Sequence, residues 1–299
     1  MTSPIQQIHI ENDRNIQLFI KREDLIHPFI SGNKYRKLKY NLVEAKHQNK
    51  SALLTFGGAF SNHIAATAYA GKIIGFKTIG IIRGEELHNK ISTNPTLRFA
   101  KENGMEFYFV SREDYRLKET EGFQNSLKEK FGDFYLIPEG GTNELAIKGC
   151  KDILNSEDKI YKYICCCVGT GGTISGIINA SENHQEILGF SALKGDFLTN
   201  EIRKFVNAEN WKLITQYHFG GYAKINDELI TFINDFKSEY DIPLDPIYTG
   251  KMLFGIINMI KNGEFENNSK ILTVHSGGLQ GIEGMNKRLK SKSMPLITI

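Results

Sequence analysis

With 299 residues and a 40% hydrophobic composition, the chain is long enough for one large or two modest α/β domains and has the side chains to bury a core, which excludes disorder. Its formal net charge is only +3 and its acids and bases are scattered, which excludes a nucleic-acid tract or a membrane-binding patch but leaves room for small anionic ligands. No stretch is apolar for long enough to span a bilayer, and the start Met1-Thr2-Ser3-Pro4-Ile5 lacks the basic and apolar regions of a secretory leader, so a cytoplasmic location is expected.

The first predicted helix begins at the run Ser31-Gly32-Asn33-Lys34, because Tyr35, Leu38, Leu42 and Ala45 recur at helical spacing and Ser31 or Asn33 can cap it. Strands over 52–56, 78–82 and 106–110 then alternate with helices over 62–74 and 95–102 and further helix to about residue 130. Gly75 and Gly104 suit left-handed helix ends, and Pro95 after Asn94 suits a helix start. Residues 83–94 are polar and aperiodic, a surface loop near the mouth of this lobe.

A second series follows Gly141: helix to 154, strand 161–168, helix from 173, strand 186–193, helix to 206 and strand 212–218. Strand and helix in alternation imply parallel sheets with crossover helices, here two open, doubly wound α/β lobes. No flexible linker separates them, so they meet across a tight crevice. Cys165, Cys166 and Cys167 are consecutive in a strand, where neighbours point to opposite faces, and read as small apolar residues; Cys150 is equally inert, and no zinc spacing exists.

Lys34 falls in the first helical turn, where Arg36, Lys37 and the positive end of the helix dipole lower the pKa of an amine and favour a neutral nucleophile. Read alone it is more often a solvated surface lysine. The strand ending at Val168 runs into Gly169-Thr170-Gly171-Gly172-Thr173 and a helix, which aims free backbone amides at an anion. Ile174 spoils a dinucleotide fingerprint and no Walker lysine follows, although such a loop is also a common tight turn. Ser61-Asn62-His63 likewise sits at a strand-to-helix handover, where Ser61 can cap and face a ligand and the Asn62 amide suits a phenolate oxygen. A lysine able to form a Schiff base, with a cradle for one phosphate, is the minimal equipment for pyridoxal phosphate.

Together with Asp245 to Lys251 and His275-Ser276-Gly277-Gly278, these segments resemble, in order and over nearly the whole chain, the 1-aminocyclopropane-1-carboxylate deaminase/D-cysteine desulfhydrase family. The resemblance implies a tryptophan-synthase-β-like fold in which residues 43–145 form a smaller lobe inserted into a larger one made of 1–42 and 146–299. It also implies that Lys34 carries pyridoxal 5'-phosphate, that Asn62 contacts its oxygen, and that Gly169, Thr170, Gly171, Gly172 and Thr173 hold its phosphate. Tyr248 matches the active-site tyrosine, Tyr222 resembles a second one, and a homodimer is expected. Two positions depart from the pattern: Phe60 replaces a glutamine, which puts an apolar wall near the substrate, and Thr249 replaces the glutamate that protonates the pyridine nitrogen in the ring-opening deaminases. A hydroxyl from Thr249 or Ser276 would leave that nitrogen largely neutral.

The expected activity is therefore a pyridoxal phosphate lyase that removes a β-substituent from a small amino acid, most like a D-cysteine desulfhydrase, with Lys34 as base and Ser61 and Tyr248 relaying protons. Cyclopropane ring-opening deamination is the alternative within the same fold, and a non-catalytic cofactor carrier or ligand sensor the alternative of another class.

Overall fold

The structure is a computed structural model and describes residues 2–195 and 197–299. In chain order its elements are β1 (Ile5–Ile8), β2 (Gln17–Lys21), α1 (Asn33–His47), β3 (Ala52–Gly57), α2 (Asn62–Ile74), β4 (Lys77–Arg83), α3 (Pro95–Glu102), β5 (Met105–Val110), α4 (Glu121–Phe131) and β6 (Tyr135–Ile137). There follow α5 (Glu144–Lys151), β7 (Tyr163–Val168), α6 (Gly172–Ile178), β8 (Glu186–Ser191), α7 (Leu198–Arg203), β9 (Trp211–Ile214), α8 (Asp227–Tyr240), α9 (Thr249–Lys261), β10 (Lys270–Val274) and α10 (Gly281–Lys290). Helix starts follow side-chain chemistry: Ser61, Asn94 and Asn143 accept from backbone amides at the heads of α2, α3 and α5. Gly75 ends α2 in the left-handed conformation, as expected.

One sheet has the order β5-β4-β3-β6, all parallel; the other has the order β1-β2-β10-β7-β8-β9, parallel except for β1 against β2. Strands β3 and β7 are buried along their whole length, because helices cover both faces. The pleat sends Cys165 and Cys167 into the apolar layer beneath α8 and α9, while Cys166 enters the opposite layer with α6. All four cysteines are free and buried, and burial raises each thiol pKa.

Several boundaries differ from expectation. The strand expected over 212–218 stops at Ile214, and the chain turns instead through 218–223, where Phe219, Gly220, Gly221 and Ala223 have positive φ. The β1–β2 pair and the elements from α8 onward were not anticipated from periodicity. The expected lobe changeovers at 42/43 and 145/146 fall inside α1 and α5, so the chain passes between the sheets through two helices packed on each other.

Strand order positions the site. In the larger sheet, β8 and β9 extend to one side of β7 while β10 and β2 extend to the other; in the smaller, β4 and β5 lie on one side of β3 and β6 on the other. Such switch points open a crevice at the carboxyl ends of the strands. The loops after β3, β6, β7 and β10 contain Ser61-Asn62, Gly140-Gly141, Gly169 to Gly171 and His275 to Gly278, and they meet there.

Candidate active site

Lys34 is the second residue of α1. The helix starts at Gly32, with φ 58°, and a Cβ at that position would lie 1.9 Å from the Ser276 carbonyl oxygen, so only glycine lets the loop dock there. The Asn33 amide donates to that same oxygen at 3.2 Å. Neither expected cap is used: Ser31 Oγ donates to the Asp24 carbonyl at 3.3 Å, and Asn33 Nδ2 donates to Thr173 Oγ1 at 2.8 Å. The polar groups at the head of α1 thus tie Lys34 to the loops after β7 and β10 instead of closing the helix.

Burial, with the charge of Lys37 adding to it, lowers the pKa of the Lys34 amine to about 7. Desolvation is the larger cause, and sequence alone did not supply it. Of the two neighbouring cations expected to act on Lys34, Arg36 is taken up by Glu23 through Nε and Nη2, each at 2.8 Å. Lys34 Nζ lies 3.4 Å from the Gly140 carbonyl oxygen.

Lys37, one helical turn on, is the residue that the sequence reading used only as a neighbouring charge. It is buried, and its Nζ donates to the Gly140 carbonyl at 3.0 Å, to Thr142 Oγ1 at 3.0 Å and to Thr170 Oγ1 at 3.4 Å. Thr142 and Thr170 are themselves 2.6 Å apart. A Cβ on Gly172 would come within 3.1 Å of Lys37 Nζ and 2.8 Å of Thr142 Oγ1, so the glycine loop, two hydroxyls and an ammonium line one small space. The signal in sequence was the i, i+3 spacing from Lys34, which puts both lysines on one helix face.

On the opposite side, the Asp245 carboxylate accepts from the amides of Ile247 (2.9 Å), Tyr248 (2.8 Å) and Thr249 (2.8 Å), fixing the head of α9. Thr249 Oγ1 donates to Asp245 Oδ2 at 2.7 Å and accepts from the Asp245 amide at 2.9 Å. Both of these hydrogen bonds are internal to the Asp245 turn. Ser276 Oγ lies 3.0 Å from Cys167 Sγ; burial pushes the Cys167 thiol up to about 12, so it stays neutral.

The Tyr248 ring lies against Gly169, where a Cβ would be 3.2 Å from its hydroxyl. Tyr222 reaches over it, ring centroids 6.2 Å apart at 65°. Burial, then Tyr222 and Asp245, push the Tyr248 phenol well above its usual range, so it keeps its proton. The Tyr222 loop is held by Lys251, whose Nζ donates to the carbonyls of His218 (2.8 Å) and Gly221 (2.9 Å).

Ser61 caps α2, its Oγ accepting from the Ile64 amide at 3.4 Å, and Asn62 starts that helix beside the His275 to Gly278 loop. His63 is buried, with Nε2 2.8 Å from Thr55 Oγ1; burial, with Lys34 and Lys37 nearby, keeps it neutral. Phe60, expected as an apolar wall near the substrate, has its ring over Gly284 of α10, at the seam between the lobes.

A family model described as "Pyridoxal-phosphate dependent enzyme" matches residues 2–277. The chain belongs to that family. It is 32% identical to a Thermotoga maritima protein named putative 1-aminocyclopropane-1-carboxylate deaminase, over 96% of this chain and 97% of that one. It is also 32% identical to the Arabidopsis thaliana bifunctional D-cysteine desulfhydrase/1-aminocyclopropane-1-carboxylate deaminase, over 89% of this chain and 73% of that one. Among solved structures, an ACC deaminase homologue superposes with TM-score 0.81 at 28% identity, covering 97% of this chain and 94% of that one.

The chain is a pyridoxal phosphate-dependent enzyme of the expected α/β class, and its crevice fits the cofactor. One depressed lysine amine, a second lysine donating beside two hydroxyls, and a cradle that a single Cβ would fill are what an aldehyde carrying a phosphate requires. Replacing Lys37 with Met removes one charge-assisted donor, so the cofactor dissociation constant should rise about 10- to 100-fold while Lys34 still binds it. Titration of cofactor-free protein followed by absorbance measures this.

Proposed function

We propose that this enzyme eliminates a β-substituent from a small amino acid, with D-cysteine as the model substrate: the thiol group leaves as hydrogen sulfide, and water hydrolyses the remainder to ammonia and pyruvate. The observation that carries the reading is Thr249: its hydroxyl is spent on Asp245, which leaves neutral Ser276, backed by neutral Cys167, as the partner for the pyridine nitrogen. Bound pyridoxal phosphate supplies an electron sink for the electrons released at the substrate α-carbon. With a neutral hydroxyl as the partner of the ring nitrogen the sink is weaker, which favours substrates whose own leaving group takes up those electrons.

The residues divide the work. Lys34 holds the cofactor and, once the substrate amine has taken its place, is a free amine with a pKa of about 7 that can take the α-proton. Lys37, Thr170 and the loop from Gly169 to Thr173 hold the phosphate, and Asn62 donates to the phenolate oxygen. Ser61 with its backbone amide receives the substrate carboxylate. Tyr248, neutral and partnered by Tyr222, donates a proton to the leaving group.

A second reading, ring-opening deamination of 1-aminocyclopropane-1-carboxylate, is favoured by the names of the Thermotoga and Arabidopsis relatives and uses the same residues. The reading includes lobes of 1–42 with 146–299 and of 43–145, a homodimer and a cytoplasmic location; the sheets support the division, and no helix among the described residues is long and apolar enough to cross a membrane. The test is a panel of L- and D-amino acids with β-leaving groups, alongside 1-aminocyclopropane-1-carboxylate. Pyruvate from D-cysteine or β-chloro-D-alanine is expected; efficient 2-oxobutyrate formation with no pyruvate from any of them rejects elimination in favour of ring opening.

A further inference from the structure

We propose that Gln280 is a positioning residue that fixes which end of the Asn62 amide faces the crevice. The proposal rests on the reading that Asn62 contacts the cofactor's phenolate oxygen, which needs its nitrogen end, the donor, turned inward. The two ends of an amide are nearly alike in shape, so only hydrogen-bond partners decide between them.

Those partners form a directed chain. Thr96 Oγ1, fully buried in the first turn of α3, donates to Gln280 Oε1 at 3.1 Å. Gln280 Nε2 donates to Asn62 Oδ1. Asn62 Nδ2 is left pointing at Gly278, where a Cβ would lie 3.0 Å from it. Reversing the Gln280–Asn62 link, so that Gln280 accepts, would turn the Asn62 oxygen into the crevice.

The chain crosses from the smaller lobe to the larger and back, so it holds only while α10 stays against α3. Three contacts keep it there: Arg98 with Glu283 at 3.5 Å, Lys287 Nζ donating to the Thr93 carbonyl at 3.3 Å, and the Phe60 ring over Gly284. Gln280 itself is exposed, so changing it leaves the core intact.

Gln280→Glu keeps the shape and the acceptor for Thr96 but can only accept from Asn62, which turns the Asn62 oxygen toward the cofactor. Gln280→Met removes the partner without reversing it. The holoenzymes should lose cofactor on dialysis in the order Glu, Met, wild type, with the dissociation constant up about tenfold or more for Glu and about threefold for Met. The visible absorbance band should shift only in the Glu variant. Raising salt from about 0.05 to about 0.5 M should not close the gap, because an oriented contact is not screened as a distant charge is.

A Glu variant with wild-type affinity and band, a gap that salt abolishes, or a Met variant weaker than Glu overturns the proposal. Asn62→Ala separates the two levels. If it leaves affinity and band unchanged, the Asn62 assignment itself falls, and the positioning role with it. If it moves both while Gln280→Glu moves neither, only the role of Gln280 falls.

Discussion

Lys34→Ala should lower turnover by at least about a thousandfold, since it removes both the covalent anchor and the base, and general-base contributions alone reach about that size. The fold should persist, because the segment is held by backbone contacts to Ser276 and the Asn33 bond to Thr173. Cofactor should still bind, more weakly, through Lys37 and the glycine loop. In the wild type, borohydride should fix the cofactor to Lys34, and the rate at which cofactor-free protein captures it should depend on pH. The amine is reactive when neutral, so with a pKa of about 7 capture should rise about tenfold per pH unit below that value and level off above it. A lysine of ordinary pKa would keep rising through pH 9, and near-normal turnover in Lys34→Ala would end the mechanism.

Much of this site was legible in the sequence, for local reasons. The strand-to-helix handovers at Ser61 and at Gly169 to Thr173, and the lysine at a helix head, depend on spacing, glycine and caps, which a linear reading sees. What it missed depends on the tertiary arrangement. The Lys34 amine is lowered mainly by desolvation, which no neighbour in sequence reveals. Thr249 has the side chain expected of a free hydroxyl, yet the Asp245 turn folds back on it. Ser31 and Asn33 are good caps by type, but the close approach of Gly32 to Ser276 redirects them to other loops. The β1–β2 pair was missed because strands of four and five residues are too short to show a clear period.

Tyr248→Phe should lower kcat about a hundredfold with little change in KM, the loss typical of one proton donor removed from a reacting group. The substitution deletes only the hydroxyl. The ring still packs against Gly169, and the Asp245 carboxylate still fixes the backbone of α9, so the thermal midpoint and the cofactor's absorbance should stay as in the wild type. Burial and the surrounding Tyr222 and Asp245 hold the phenol well above its usual range, which suits the proposed role of Tyr248 as a proton donor. The pH profile of the wild type should therefore show the rise near 7 from Lys34 and no fall from Tyr248 up to about pH 10. Tyr222→Phe removes the partner and not the donor, so its loss should be smaller, and adding it to Tyr248→Phe should cost little more because the two phenols act as a unit. A better leaving group needs less proton transfer, so β-chloro-D-alanine should suffer less than D-cysteine from Tyr248→Phe. Equal losses for the two substrates would move the proton donor elsewhere, and an unchanged rate for both would make Tyr248 a packing residue and leave Ser61 as the group that carries the proton.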